Sequence, residues 1–306
     1  MSYTGTGTGT EADPYVIDSS VSCEDFLWVI QQTGVYIKMT TFVDFSQDLT
    51  YRSGISTAIP VRCAKLYSDV SGADQTKYGI TGLKISQSYF LQAGYTNSIF
   101  ENISIVNCVY SATGNGNSVF TPYSSNRITF NDCVISMIVN GFNYSVSFGN
   151  APYLNRCSVY FVLNIMNGDG FFNYGTVTPT EANSRFIDTC IQFTGYKLPT
   201  ASSRTIRLIS SATRCSIIGD WDISDLQYGG LWFGGMNNCC FAVTITVSDT
   251  QTASSAVSTG NLSGVSIFDR DIVDQKLVIS QTSNLQLLTT SLMKDRAYLE
   301  RIGFIY

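Results

Sequence analysis

One pair of carboxylates comes closest to an acid–base apparatus in this chain. Asp220 and Asp222 are two positions apart, with Trp221 between them. Alternate residues of a strand share a face, so the two carboxylates would lie roughly 7 Å apart. Inverting glycoside hydrolysis uses two carboxyl groups at about that separation. Any two acids at this spacing on a strand meet the same condition, so the pair favours turn or surface carboxylates, and we expect no catalytic residue.

Other groups that could do chemistry are sparse. The remaining acidic residues include the cluster Asp269, Asp271 and Asp274 and the isolated Asp169 and Glu181. The run Asp269-Arg270-Asp271 predicts local ion pairs on a solvent-facing surface. The chain has no histidine, and it lacks the nucleophile-elbow, phosphate-loop and paired-cysteine motifs. We therefore expect no metal and no cofactor, and an enzyme is not favoured.

Aromatic side chains beside glycine, asparagine and aspartate form a second kind of candidate site. They belong to residues 221–235 and to a loop within residues 167–183. Flat aromatic faces beside amides and carboxylates bind sugar rings, and they also form protein interfaces. A third interpretation is that the tryptophans fill the core or seal a loop. The candidates for glycan or partner binding are Phe171, Tyr174, Trp221, Tyr228 and Trp232.

Cysteine recurs at nearly constant spacing through the middle of the chain. The recurring positions are Cys108, Cys133, Cys157, Cys190, Cys215 and Cys239, with gaps of 25, 24, 33, 25 and 24 residues. An asparagine or aspartate usually stands one or two places before each cysteine, and apolar residues usually alternate after it. A period in the twenties that is carried by two-residue alternation is typical of a β-solenoid.

Stacking of these cysteines in one column makes disulfides unfavourable. Side chains on successive turns point the same way at about one strand spacing, whereas a disulfide needs a Cβ separation near 3.8 Å. A zinc site would need four thiolates that converge on one point, because no histidine is present. We therefore interpret the column as small apolar residues that face inward, with metal or redox roles as minor alternatives.

The elements that position these residues divide the chain into four segments. We expect an all-β fold, a single-stranded right-handed parallel β-helix of about nine turns with a short N-terminal capping helix and a C-terminal helix. The segments are a flexible or partner-bound Gly/Thr arm at 1–10, a strand–helix–strand cap at 11–48, the parallel β-helix at 49–280 and a capping or docking helix at 281–306.

Local signals place the two helices. Ser22 as N-cap with Asp25 three residues later predicts a helix that ends before Gly34. Residues 289–302 predict a second helix with Thr290 as N-cap. The 33-residue gap between cysteines predicts an inserted loop within residues 167–183.

Composition excludes several kinds of partner. Charged residues make up 13% of the chain and the net charge is −5, without any run of Lys or Arg, so no nucleic-acid partner is expected. No stretch of 18 apolar residues occurs, so no membrane insertion is expected. The first residues have neither a basic nor an apolar segment of the kind found in secretory signals, so we expect synthesis and folding in a cytoplasm.

Both ends of the chain resemble a known family. Residues 7–17 (GTGTEADPYVI), then a short helix and residues 34–39 (GVYIKM), resemble the opening of pectin-lyase-like right-handed parallel β-helix proteins. Residues 288–304 are similar to the closing phrase of the same group. Such proteins occur as bacteriophage tail or appendage proteins and as bacterial surface repeat proteins. The resemblance implies a right-handed coil, but the fold hosts lyases, hydrolases, adhesins and inert rods alike.

The resemblance and the missing signal together favour a structural component of a bacteriophage virion. We expect a tail fibre or spike, an appendage or a capsid decoration that acts as a rigid scaffold in host-surface attachment. The expected partners are further copies in a homo-oligomer, expected to be a trimer, other virion proteins and a host cell-surface glycan. The alternatives are a polysaccharide-degrading tailspike, either a lyase or a glycoside hydrolase, and a bacterial surface adhesin.

Overall fold

The molecule is seen in a computed structural model that describes most of the chain. The described residues are 3–57, 59–70, 78–94, 97–114, 117–121, 127–141, 146–148, 152–165, 186–197, 206–209, 212–222, 231–233, 236–246, 257–259, 262–271 and 284–304.

The fold is an all-β parallel solenoid, as the cysteine spacing and the apolar alternation predict. It has about six turns rather than the expected nine. The expectation took the usual spacing between cysteines as the length of every turn. Lys65, however, pairs with Ile99, and Ser98 pairs with Ile128, so these turns are longer than that spacing. The length of a turn therefore varies along the coil, and the spacing of the cysteines does not show this variation.

The chain forms two compact units, Met1–Asn140 with Gly149–Phe161, and Gly141–Phe148 with Val162–Tyr306. The strands that begin in the first unit are β1 (Tyr15–Ile17), β2 (Tyr36–Met39), β3 (Phe42–Asp44), β4 (Ile59–Val61), β5 (Lys65–Tyr67), β6 (Gly79–Thr81), β7 (Lys84–Ser86), β8 (Tyr89–Ala93), β9 (Ser98–Glu101), β10 (Ser104–Ser111), β11 (Asn117–Thr121), β12 (Ile128–Asn131), β13 (Val134–Gly141), β15 (Pro152–Asn155) and β16 (Ser158–Ile165).

The second unit contains the remaining strands. They are β14 (Val146–Ser147), β17 (Phe186–Ile187), β18 (Cys190–Lys197), β19 (Ile206–Ile209), β20 (Ala212–Thr213), β21 (Ser216–Asp222), β22 (Leu231–Phe233), β23 (Met236–Asn237), β24 (Cys240–Thr246), β25 (Val257–Thr259), β26 (Leu262–Ser263), β27 (Ser266–Asp269) and β28 (Leu285–Leu288).

Three parallel sheets line each unit. In the first unit the first sheet runs β1-β2-β5-β9-β12-β15, the second sheet contains β3, β6, β7, β10, β13 and β16, and the third contains β4, β8 and β11. In the second unit the first sheet contains β17, β20, β23 and β26, the second contains β18, β21, β24, β27 and β28, and the third contains β19, β22 and β25. Each turn thus passes from sheet to sheet and returns one strand further along.

Aromatic rings fill the interior of the first unit. Phe90, Phe100, Phe120 and Phe130 are fully buried. The ring centroids of Phe100 and Phe130 are 5.2 Å apart, and those of Phe120 and Phe130 are 5.1 Å apart. Parallel pairing places Phe100 beside Phe130 edge to face, and Phe120 from the third sheet meets Phe130 at a tilt, so the rings form one connected cluster in the interior.

A short helix covers the first turn of the coil. Helix α1 (Cys23–Ile30) begins at the predicted N-cap, since the Ser22 hydroxyl accepts a hydrogen bond from the Asp25 backbone N–H at 3.0 Å. Its buried face contacts the coil, with the ring of Phe26 6.3 Å from that of Phe45. The helix end is fixed as well, because the Ile30 carbonyl accepts the Arg62 backbone N–H at 2.9 Å.

Residues 3–10 lie along this cap. The Val16 backbone N–H donates to the Thr6 carbonyl at 3.0 Å, and the Tyr36 backbone N–H donates to the Gly9 carbonyl at 2.9 Å. The Tyr3 hydroxyl also donates to the Val16 carbonyl. The Gly/Thr arm therefore adds hydrogen bonds to β1 and β2 of the first sheet.

The corner from the first sheet to the second is built on left-handed backbone. From β9 to β23, the residue that follows each first-sheet strand has a φ of about 50°, as for Asp132 (54°), Arg156 (53°), Asp188 (49°) and Arg214 (51°). Asparagine and aspartate tolerate this conformation, which accounts for the polar residue before the cysteines. The two arginines are held in bidentate ion pairs with the aspartate of the preceding turn: Arg156 Nε and Nη2 to Asp132 at 2.7 and 2.6 Å, and Arg214 Nε and Nη2 to Asp188 at 2.6 and 2.9 Å.

The C-terminal segment differs from the single helix predicted over 289–302. A 3-10 helix (Leu292–Lys294) is followed by helix α2 (Arg296–Arg301), with a break at Asp295. Asp295 is the N-cap of α2, because its carboxylate accepts the Tyr298 backbone N–H at 3.0 Å. Thr290, the predicted N-cap, instead donates its hydroxyl to the Asp269 carboxylate at 2.7 Å.

Candidate functional site

The best-defined polar and aromatic surface is the outer face of the first sheet in the first unit. Its strands alternate between buried residues and half-exposed ones, so that every second side chain faces outward. We call these outward positions the tyrosine face. Its members are Tyr36, Lys38, Lys65, Tyr67, Ile99, Glu101, Thr129, Asn131, Tyr153 and Asn155.

Register places these side chains in two rows. Lys65, Ile99, Thr129 and Tyr153 are paired in succession from β5 to β15. In the second row Tyr67, Glu101, Asn131 and Asn155 are paired in the same way. Neighbours within a row are therefore about 4.8 Å apart, and the amides of Asn131 and Asn155 lie side by side.

Charged groups on this face are paired with each other and with the rings. Lys65 Nζ is 2.9 Å from Glu101 Oε1 and 5.0 Å from the centroid of the Tyr67 ring. Lys38 forms an ion pair with Asp69, and its side-chain hydrogen bond to Asp69 raises the pKa of Lys38. These contacts fix the lysine heads and orient the Tyr67 ring.

The second tyrosine centre lies three strands away. The Arg127 guanidinium carbon is 4.7 Å from the centroid of the Tyr153 ring and a guanidinium nitrogen donates to the Tyr153 hydroxyl. The backbone N–H of Arg127 in turn donates to Asn97 Oδ1 at 2.9 Å. Two cation-supported tyrosines with amides and a threonine hydroxyl between them form a shallow surface that suits ring stacking and hydroxyl recognition.

The predicted carboxylate pair lies in the second unit, on β21. Asp220 is exposed and accepts a hydrogen bond from the Gly195 backbone N–H at 3.1 Å. Asp222 pairs through its backbone register with Thr246 of β24, but its side chain lies outside the described part of the molecule. The acid–base interpretation of the pair stays the disfavoured alternative, and the described contact of Asp220 is structural in kind.

The predicted aromatic site falls mostly outside the described residues. Phe171, Tyr174 and Tyr228 lie there, together with the inserted loop within 167–183. Trp221 lies in β21 and Trp232 in β22, each described by its backbone alone. Their part in glycan or partner binding stays a prediction.

The nine cysteines form no disulfide bonds. The register of the strands, however, changes which residues stand in the inward column. Buried Cys133 and Cys157 are stacked, since Asn131 pairs with Asn155 two residues earlier. Cys215 and Cys239 are stacked in the same way, since Thr213 pairs with Asn237 two residues earlier. Burial raises the pKa of the Cys133 and Cys215 thiols, so these thiols are protonated packing groups.

Two cysteines that the spacing assigned to this column lie elsewhere. Cys108 pairs with Met137, because β10 has a bulge between Ile105 and Cys108. Cys190 pairs with Ser216, and Ser216 pairs with Cys240. Cys190 therefore belongs to an outward row and is only half-buried. Buried Ile103 and Thr189 take the corresponding places in the column.

The acidic run near the C-terminus is also corrected in part. Arg270 and Asp271 form the expected local ion pair at 3.8 Å. Asp269, however, is only 4% exposed. Its carboxylate accepts the Thr290 hydroxyl and the Asp271 backbone N–H. This residue therefore anchors the C-terminal segment instead of facing solvent.

Within the described residues, no group of three or more acidic, cysteine or histidine side chains is arranged to hold a metal ion. The helices in that part of the chain are too short or too polar to cross a bilayer. Comparison with protein-family models, curated proteins and solved structures finds no match to this chain.

The tyrosine face was missed because its signal is spread over distant short strands. Each strand contributes two outward residues, as in Lys65-Leu66-Tyr67. The next contribution to the same row comes a full turn later, as Ile99 does after Lys65. Alternation within each strand identifies the outward positions, but only the register shows that Tyr67, Asn131 and Tyr153 share a surface.

Proposed function

We propose that this protein is a structural component of a bacteriophage particle that carries a glycan-binding surface on a rigid parallel β-helix. In this role it would be a tail fibre or spike, an appendage or a capsid decoration, and it would contribute to host-surface attachment. The terminal phrases at residues 7–17 and 288–304, which resemble those of pectin-lyase-like phage and bacterial surface proteins, support the phage setting.

The observation that carries the binding role is the tyrosine face. Tyr67 and Tyr153 present partly exposed rings that cations hold in place. Asn131 and Asn155 place amide donors and acceptors beside them at one strand spacing. Sugar rings have apolar faces that stack on aromatics and hydroxyls that bind amides, so this combination fits a glycan. Assembly into a homotrimer, which would attach to other virion proteins, would repeat the face and multiply weak contacts.

The tyrosine face is tested by binding to an array of bacterial surface polysaccharides. Tyr67→Ala and Tyr153→Ala should each weaken binding about 2- to 10-fold, because an aromatic contact is worth about 0.5–1.5 kcal/mol. Tyr160→Ala is the matched control, since Tyr160 is a 38% exposed tyrosine on the second sheet of the same unit. Binding that depends equally on Tyr160, or no binding to any polysaccharide, would refute this role for the face.

A polysaccharide-degrading tailspike is the second candidate, and the observation in its favour is the exposed Asp220 two positions from Asp222. Incubation of the protein with the polysaccharides that it binds, followed by assays for new reducing ends and unsaturated uronate, separates the two functions. Product that disappears in Asp220→Asn and Asp222→Asn would replace a binding role by a catalytic one. Intact polysaccharide in the presence of binding would support attachment alone.

A further inference from the structure

A cavity lies between the second sheet and the C-terminal segment of the second unit. Its volume is about 200 Å³. Ser216, Cys240 and Ile267 form its floor, and these residues are paired in succession on β21, β24 and β27. They belong to an outward row of the sheet, yet Ile267 is only 1% exposed because the C-terminal segment covers it.

The roof of the cavity is apolar and well anchored. Met293, Leu299 and Phe304 line it from above. Leu299 and Phe304 are buried in a cluster with Ile267 and Leu288. The Phe304 backbone N–H donates to the Leu299 carbonyl at 2.9 Å, which fixes the chain beyond α2. The space is therefore bounded by ordered side chains on both sides.

Polar groups meet the cavity on one side only. Arg214 and Asn238, which lie at successive left-handed corners, both line it. The ion pair with Asp188 holds the Arg214 guanidinium, and Asn238 Oδ1 accepts the Val265 backbone N–H at 3.0 Å. The described residues of the lining include no acidic side chain, and the Asp188 carboxylate that contacts Arg214 lies outside them, so this side offers hydrogen-bond donors to a ligand.

We propose that this cavity binds a small molecule with one six-membered ring and one neutral or anionic hydrogen-bond acceptor. A cavity of about 150 Å³ lined by apolar side chains accommodates benzene, so the observed volume leaves room for a ring with a small substituent. The ring would contact Leu299, Phe304 and Ile267, and the acceptor would face Arg214 or the Asn238 amide. This site is separate from the tyrosine face and does not depend on the function proposed for it.

Three probes that share a ring and differ in charge test the proposal. The full-length protein is titrated with benzoate, benzyl alcohol and benzamidine, and binding is followed by ligand-observed NMR. Benzoate and benzyl alcohol should bind at millimolar concentration or below, and the cationic benzamidine should bind at least about 10-fold more weakly, since the described residues of the lining offer donors and no carboxylate. Equal binding of all three probes, or none at 10 mM, would overturn the proposal.

A pair of matched variants locates the binding. Ser216→Trp should fill the cavity and abolish benzoate binding, whereas Ser158→Trp, at an exposed outward position of β16, should leave benzoate binding unchanged.

Protection of a thiol gives a second readout, which applies even if Ser216→Trp does not fold. Benzoate should slow alkylation of the Cys240 thiol by N-ethylmaleimide about 5-fold or more. Cys190, a half-buried thiol outside the lining, is the internal control. Equal protection of both thiols would contradict binding in this cavity.

Discussion

At the scale of single residues, the corners carry the most information about how the coil is built. Arg156 and Arg214 have φ values of 53° and 51°, which cost a side chain with a Cβ atom roughly 1–2 kcal/mol. Each has its guanidinium in a bidentate pair with an aspartate at the previous corner. Exposed ion pairs stabilise the folded state by only about 0–1 kcal/mol, so the ion pair offsets the backbone strain only in part.

Arg156 allows a direct test of this strain. Arg156→Ala and Arg156→Gly lose the same ion pair, but only alanine keeps the steric cost, so the glycine variant should be more stable by about 1 kcal/mol in urea unfolding. Arg52 is the control because it is exposed and lacks a positive φ. At position 52 the alanine variant should be at least as stable as the glycine variant. The same order at both positions would contradict a left-handed corner at Arg156.

At the scale of elements, the C-terminal segment is held by one buried carboxylate. Asp269 receives the Thr290 hydroxyl at 2.9 and 2.7 Å, and Asp271 receives the Thr290 backbone N–H at 2.8 Å. The apolar pattern of residues 289–302 predicts one continuous helix. Asp295, however, has extended backbone, with ψ of 96°, and is the N-cap of α2. Side-chain anchors thus override local helix propensity here.

Removal of this anchor should loosen the segment. Thr290→Val deprives the buried Asp269 carboxylate of a donor and should lower the free energy of unfolding by about 1–3 kcal/mol. Hydrogen exchange should rise over residues 289–304. Thr244→Val, at an exposed position of β24, is the matched control and should change stability by less than about 0.5 kcal/mol. Unchanged exchange in Thr290→Val would show that apolar packing alone holds the segment.

At the scale of the whole molecule, repeat spacing predicts the fold but does not fix which residues stack. The alternation after Cys133, Cys157 and Cys239 is sufficient for a parallel solenoid. Cys108 was misplaced because Asn107, in the β10 bulge, has the same left-handed backbone (φ 54°) as a corner residue, so Asn107-Cys108 imitates one. Cys190 was misplaced because Thr189 fills the inward site one residue earlier.

The site was less predictable than the fold for a related reason. Outward residues have no apolar constraint, so Tyr67 and Tyr153 resemble surface residues of unrelated loops until pairing brings their strands together. The length of each corner decides that pairing, and it varies too widely between turns to be inferred from alternation. Inward residues are constrained by burial, so the core column leaves a regular pattern in the sequence and the outward rows do not.

Buried thiols make global stability sensitive to alkaline pH. Burial raises the pKa of the Cys63 and Cys108 thiols to about 12, whereas an unfolded thiol titrates near 8.5. The folded pKa is the higher one, so the stabilising effect is complete below about pH 8.5 and is lost as pH rises toward 12. Each such thiol should lower the free energy of unfolding by about 1.4 kcal/mol per pH unit in that window.

Urea unfolding between pH 8 and pH 10 measures this loss. Cys108→Ala will lower stability at neutral pH because it leaves a small cavity. Its informative effect is on how steeply the free energy of unfolding falls with pH. Above pH 8.5 this slope should be shallower than that of the unmodified protein by about 1.4 kcal/mol per pH unit. Parallel slopes would show that the Cys108 thiol is not protonated in the folded protein above its ordinary pKa.

One turn of the second unit has the same length on two sheets. Thr213 pairs with Asn237 on the first sheet and Ser216 pairs with Cys240 on the second, so both pairs have the same offset along the chain. Excision of residues 214–237 would join Thr213 to Asn238 and keep the register of both sheets, so their described inward side chains would still face inward. Duplication of residues 214–237 would add one turn and would likewise keep the register of both sheets. The length of such a protein can therefore evolve in whole modules, while the segments that close its two ends keep their sequences.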